Sequence, residues 1–106
     1  MDERTRLNLL YDFYGNLLTD RQQELFQHHY QYDLSLGEIA ENFQISRQAV
    51  HDLLRRTIAQ LNNYENRLQL LERHFQRQEL LAQLDSALAA ADLTRARALT
   101  EKLKNT

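Results

Sequence analysis

At 106 residues, with no Pro, no Cys and two Gly, the chain has room for one domain with a real core and lacks the residue that disulfide or thiolate chemistry needs. Leu and Gln are abundant and β-branched residues few, a composition that predicts an all-α fold and excludes a sheet-rich one. The net charge of −2 hides an asymmetry: residues 1–45 hold eight acids and three Arg, residues 46–106 seven acids and ten basic residues, which argues against tight non-specific duplex binding and leaves room for weak or specific binding.

The first element spans residues 3–18. Leu7, Leu10, Tyr11, Tyr14, Leu17 and Leu18 recur three and four apart, the spacing of an amphipathic helix whose aromatic-rich stripe belongs in a core. Gly15 weakens that helix slightly near its end. No stretch of about 20 apolar residues exists, and the N-terminus has no continuous apolar core of signal-peptide type, so the expected location is the cytoplasm.

Thr19 opens the second helix as its N-cap, with Asp20 and Glu24 read as first-turn acids that favour the helix dipole. The helix continues through Leu25, Phe26, His29 and Tyr30. His28 and His29 point about 100° apart and cannot share one metal from one face. Glu24 and His28 do share a face, but no third ligand accompanies them, and neither a metal nor a cofactor is expected. Gln31, Tyr32 and Asp33 form the connector to the next helical pair.

Residues 34–56, LSLGEIAENFQISRQAVHDLLRR, hold two short helical patterns joined by a tight turn. Ser35 and Glu38 have capping-box spacing, and Ser46 offers a second N-cap oxygen. Ile39, Ala40 and Phe43 mark the buried stripe of one helix; Val50, Leu53 and Leu54 mark that of the next. Ala40 is small where two steeply crossing helices meet, and Ile45 plugs the core between them. This is the layout of a helix-turn-helix, whose second helix enters a major groove. The turn has Gln44 where Gly is common, so a positive φ there costs on the order of 1 kcal/mol. The outward residues of the second helix are Arg47, Gln48, His51, Asp52, Arg55 and Arg56. Arg47 and Gln48, near its start, suit base edges, and Arg55 and Arg56 suit phosphates. A small helical bundle with a polar outer face has the same pattern.

Beyond Arg56 the helical pattern continues. Leu54, Leu61, Leu68 and Phe75 recur every seven residues, with Val50, Thr57, Tyr64 and Leu71 as a second series. This seam predicts burial against the first helix, the last helices or a second copy of the chain. Asn62, Asn63 and Asn66 are weak helix formers and suggest a kink or break at 62–66. The expected division is a helix-turn-helix domain at 1–61 and a helical packing or oligomerisation extension at 62–106. In the extension, Leu80, Leu81, Leu84, Leu88 and Ala87, Ala89, Ala90, Ala91 precede Asp92, an N-cap or part of a turn into a final helix. Leu93, Ala96, Leu99 and Leu103 come after it, giving a helical hairpin whose end carries Lys102 and Lys104. Ser35 and Ser46 are explained as caps, Ser86 is a mid-helix polar position, and no Gly-rich loop cradles phosphate, so no enzyme activity is expected.

The segments LTDRQQEL (18–25), LGEIAENF (36–43) and ISRQAV (45–50) resemble, in register, the helix-turn-helix of sigma factor region 4, a winged-helix-like domain of three to four helices. That resemblance implies promoter reading by Arg47, Gln48, His51 and Arg55. The whole chain, through LLYDFYGNLLTDRQQ and ISRQAVHDLLRR, is similar to the YlxM-like family of small bacterial proteins. Members are encoded beside components of the signal recognition particle and are described as DNA-binding or regulatory proteins of that pathway. The residues and the resemblance together allow three roles. One is a regulator binding DNA through Ser46, Arg47, Gln48, His51, Asp52, Arg55 and Arg56. Another is an accessory protein that contacts the particle's GTPase or RNA. The third is a protein-only adaptor. A homodimer through the long helix and the hairpin accompanies the first.

Overall fold

The computed structural model describes residues 1–106 and is all-helical, with six α-helices and no strand. The helices are α1 (Glu3–Tyr14), α2 (Asp20–Phe26), α3 (Leu36–Phe43), α4 (Arg47–Leu68), α5 (Leu70–Ala89) and α6 (Leu93–Lys104). They fall into two units, Met1–Leu68 and Gln69–Thr106.

In the first unit, α1 starts on a cap that the periodicity does not announce. Asp2 accepts from the Thr5 N–H at 2.7 Å, and this bond holds the Asp2 carboxyl below its ordinary pKa. The helix stops at Tyr14, short of the expected residue 18, and gives way to a 3₁₀ turn at Gly15–Leu17. The tighter turn rotates the stripe, so Leu7, Leu10, Tyr14 and Leu18 are buried while Leu17 is 54% exposed. Gly15 has a packing reason: a Cβ there would meet the Tyr11 ring at 3.0 Å. The Tyr14 hydroxyl donates to Glu65 at 2.6 Å, tying α1 to α4.

Thr19 caps α2 through a reciprocal box with Gln22, whose side chain reaches back to the Thr19 N–H at 2.9 Å. Asp20 is in the first turn, and Glu24 lies beyond it. After Phe26 the helix widens into a π turn at Gln27–Gln31, closed by the Tyr32 N–H on the Gln27 carbonyl at 2.9 Å. His28 and His29 do not converge: their Nδ1 atoms face the carbonyls of Glu24 at 2.6 Å and Leu34 at 2.8 Å.

The long helix α4 packs on α1, α2 and α3. Its buried edge is Val50, Leu54, Thr57 and Leu61, and the Thr57 hydroxyl donates to the Leu53 carbonyl at 2.8 Å. The upper half of the sevenfold seam is therefore filled within one chain. The asparagines at 62, 63 and 66 do not break α4, which runs to Leu68 because its buried edge anchors it. Residues 62–68 thus belong to the first unit, and the helical break comes at Gln69, in the left-handed conformation at φ 55°.

The second unit is the expected hairpin of α5 and α6. Asp92 caps α6 by accepting from the Arg95 N–H at 3.0 Å. Ala87, Ala96 and Leu99 form its core, with Leu80 and Leu84 against them. Of the four alanines only Ala87 is buried, and Leu81, Leu88 and Leu93 lie outside, at 40, 53 and 69% exposure. Lys102 and Lys104 occupy the last turn of α6.

Candidate nucleic-acid interface

The geometry of α3, the turn and α4 is fixed locally. The Ser35 hydroxyl accepts from the Glu38 N–H at 3.1 Å, and the Glu38 carboxylate accepts from the Ser35 N–H at 3.1 Å. At the far end of α3, Gln44 adopts φ 54° and ψ 45°. Ile45 N–H donates to the Ala40 carbonyl at 3.0 Å and Gln44 N–H to that of Glu41 at 3.3 Å, the paired bonds of a Schellman turn. Gln44 thus does the work usually given to Gly, at a steric cost of about 1–2 kcal/mol.

Ser46 then caps α4, its hydroxyl oxygen accepting from the Ala49 N–H at 3.0 Å. Leu25, Ile39, Ala40, Val50 and Leu54 make the core that locks α4 against α3, and Ile45, Phe43 and Leu53 pack around it. Ala40 is buried at the crossing, as its size requires.

With Val50 and Leu54 inward, the opposite face of α4 is open. Arg47, Gln48, His51, Arg55 and Arg56 are exposed and Asp52 half-exposed. Asp52 is the hub of this face. Its Oδ1 accepts from Gln48 Nε2 at 3.0 Å and lies 3.7 Å from His51 Nδ1 and 3.8 Å from an Arg55 nitrogen. Gln48, His51, Asp52 and Arg55 therefore form one connected patch. Arg47 lies apart, its Nε 3.7 Å from where a Cβ on Gly37 would sit, so it passes over the start of α3. Ser46 sits at the head of the face with its oxygen committed to the cap. Arg56 is exposed one residue beyond the patch.

Two features beside this face carry no signal in the sequence pattern. Arg21, in the first turn of α2, stacks its guanidinium 4.9 Å above the Phe43 ring at the end of α3. The π turn brings His29 and Tyr30 alongside His51 and Arg55. Neither is visible as a period in the chain; both depend on how α2 and α4 pack.

A family profile described as "Putative helix-turn-helix protein, YlxM / p13 like" matches residues 1–104. UPF0122 protein STH1464 of Symbiobacterium thermophilum is 52% identical over 97 residues, covering 92% of this chain and 91% of its own length. UPF0122 protein ABC2295 of Shouchella clausii is 49% identical over 90 residues, covering 85% and 83%. UPF0122 protein Lm4b_01818 of Listeria monocytogenes serotype 4b is 45% identical over 107 residues, covering all of this chain and 93% of its own. With the helix-turn-helix geometry in place, and relatives matching over nearly their whole length, the chain belongs to the UPF0122 family of YlxM/p13-like helix-turn-helix proteins.

Proposed function

We propose that this protein is a DNA-binding regulator that lays the Ser46–Arg56 part of α4 in a major groove. The observation that carries the reading is the open patch of Gln48, His51, Asp52 and Arg55 on a helix whose other edge is locked in the core. Arg47 and Gln48 read base edges from the first turn, while Arg55 and Arg56 take phosphates and the Ser46 hydroxyl proton is available to another. Family membership supports a nucleic-acid-binding role of this class. The protein acts without catalysis, and its expected compartment is the cytoplasm; no helix is long and apolar enough to cross a membrane.

Fluorescence anisotropy with labelled duplexes from the gene's own upstream region, repeated at several salt concentrations, tests this. With three Arg on the reading face, log affinity should fall with log salt at a slope of about −2 to −4 per monomer. The Arg47→Ala, Arg55→Ala double variant should lose both affinity and slope. Identical binding by wild type and double variant refutes the reading. A homodimer would add a second half-site. Leu61 is buried in the first unit, so such a dimer would rest on exposed residues such as Phe75, Leu81 and Leu88. A 12.6 kDa species persisting in sedimentation at high protein concentration rules it out.

A second reading is favoured by charge. The net −5 of residues 1–45 repels a duplex and suits a partner other than naked DNA. In that reading the protein is an accessory of the signal recognition particle, contacting its GTPase or RNA. Arg47→Ala would then leave association intact, and truncation after Leu68 would abolish it. A protein-only adaptor is what remains if neither duplex nor particle binds.

A further inference from the structure

Between the π turn, α3 and α4 lies an open groove of about 250 Å³ that shares His51 and Arg55 with the reading face and is otherwise built from residues outside it. Its floor is aliphatic, from Leu36, Leu54 and Ile58. Leu54 is buried and the other two half-buried, so the floor is fixed by the core. One wall is aromatic and rigid. Tyr30 packs on Phe26 at 4.8 Å between ring centres, Phe26 stacks on Tyr11 at 4.6 Å, and His29 meets Tyr30 edge-on at 4.8 Å. His29 Nδ1 carries its proton toward the Leu34 carbonyl at 2.8 Å, which holds the imidazole in place. Burial, and secondarily the Glu3 charge, push the Tyr30 hydroxyl above the ordinary phenol range, so it remains a donor. At the mouth stand His51 and Arg55, one helical turn apart. Arg55 is the one lining side chain with a fixed charge, and no carboxylate lines the groove. Asp52 touches both His51 and Arg55 at 3.7 and 3.8 Å without lining it.

An aliphatic floor, an aromatic wall and a cation at the rim are the parts of a small-ligand site, with a few polar groups to orient the occupant. We propose that this groove binds a small organic anion made of one aromatic ring and one carboxylate, the ring against Tyr30 and the floor, the carboxylate on Arg55. The volume of about 250 Å³ has room for one ring with its acid group. A duplex phosphate has no use for the apolar floor, and a purely aliphatic acid has none for the aromatic wall. Arg55 and His51 also belong to the proposed reading face. If that DNA reading holds, ligand and duplex draw on the same guanidinium, and each lowers the other's affinity by the same factor. The ligand site itself does not depend on the DNA reading.

The test is a ¹⁵N–¹H correlation titration of the full chain with sodium benzoate at constant ionic strength. Benzamide, with the ring and no charge, and acetate, with the charge and no ring, are run alongside. Saturable shifts are expected at the amides of Tyr30, Leu36, Leu54 and Ile58 with benzoate alone. The dissociation constant should be on the order of 1 mM, ordinary for about nine heavy atoms. Arg55→Gln, at a side chain 73% exposed and so tolerated by the fold, should weaken benzoate at least tenfold with the remaining spectrum unchanged. Equal shifts with benzamide, no saturable shift, or undiminished binding by Arg55→Gln overturns the proposal. Duplex anisotropy with and without saturating benzoate separates the two readings. Loss of duplex binding on adding benzoate supports the shared guanidinium. Absence of duplex binding without benzoate sinks the DNA reading and leaves the titration to decide the groove.

Discussion

Asp52→Asn is the most informative single substitution on the reading face. The carboxylate sits among Gln48, His51 and Arg55, and it is the one acid among the exposed groups of the first three turns of α4. An asparagine keeps an acceptor for the Gln48 amide at the same place and removes only the charge. The fold should hardly notice, because exposed ion pairs contribute about 0–1 kcal/mol. Duplex binding should notice. Removing one negative charge that faces phosphates is equivalent to about one further neutralised phosphate, which steepens the salt slope by about 0.9. Over the decade from 1 M down to 0.1 M salt, that slope amounts to roughly a tenfold gain in affinity for random duplex. The gain should vanish toward 1 M. Discrimination should fall at the same time, since a carboxylate selects an amino group such as that of cytosine more strictly than an amide does. The assay is anisotropy on one random duplex and one upstream-region duplex across a salt series, with a thermal melt as control. If Asp52→Asn leaves both affinity and slope unchanged, Asp52 does not face the duplex, and the placement of α4 in the groove is wrong.

Three further substitutions or titrations probe the frame. Ser46→Ala should cost about 1 kcal/mol by thermal melt, the usual loss for an N-cap, and no change would show that its 3.0 Å bond to Ala49 N–H is not a cap. Ala91 has φ 55° and no side chain to compensate, so Ala91→Gly should stabilise the hairpin by about 0.5–1 kcal/mol: relief of about 1–2 less the added freedom of an unfolded glycine. Tyr30 should ionise above the 10.0 of a free phenol. Because its folded pKa is the raised one, its contribution to stability is complete below 10.0 and lost as pH climbs toward the folded value. Ultraviolet titration of wild type against Tyr30→Phe should show one late phenol missing.

What could be read in the chain was what is encoded locally. Thr19, Ser35, Ser46 and Asp92 each cap a helix as their spacing requires, because a cap needs only the next three residues. Ala40 was legible for a steric reason, and the outward set on α4 came directly from the inward one. The rest depends on contacts distant in the chain. The π turn at Gln27–Gln31 keeps a helical composition while shifting the phase, so periodicity alone sees an ordinary helix. Asn62, Asn63 and Asn66 have poor propensity, but Leu61 is fully buried and Tyr14 reaches Glu65, and packing overrides propensity. The left-handed residue at Gln44 was legible from the tight turn it occupies, whereas the true break at Gln69 carries neither Gly nor Pro and the left-handed turn at Ala91 likewise uses a residue that gives no local warning. The groove assembles side chains from three elements, so no window of sequence could show it.

The division of labour on α4 explains how a small acidic protein can carry a tunable surface. Val50, Leu54, Thr57 and Leu61 fix the helix, and truncating Leu54 to Ala would cost about 2–5 kcal/mol. Apart from the Ser46 cap, the reading face contributes almost nothing to that frame, since surface substitutions stay within about ±0.5 kcal/mol. Chemistry on the outer edge can therefore change without endangering the fold. Arg55 shows what this allows. Its 3.8 Å pairing with Asp52 is exposed and weak, so a phosphate or a carboxylate can take its place at little cost. On the two proposals made above, three acceptors would compete for one guanidinium: Asp52 on its own helix, a phosphate in front, and an anion in the groove beside it. With the Asp52 pairing worth so little, a modest concentration of either proposed ligand would shift the balance, as the proposed regulatory role requires.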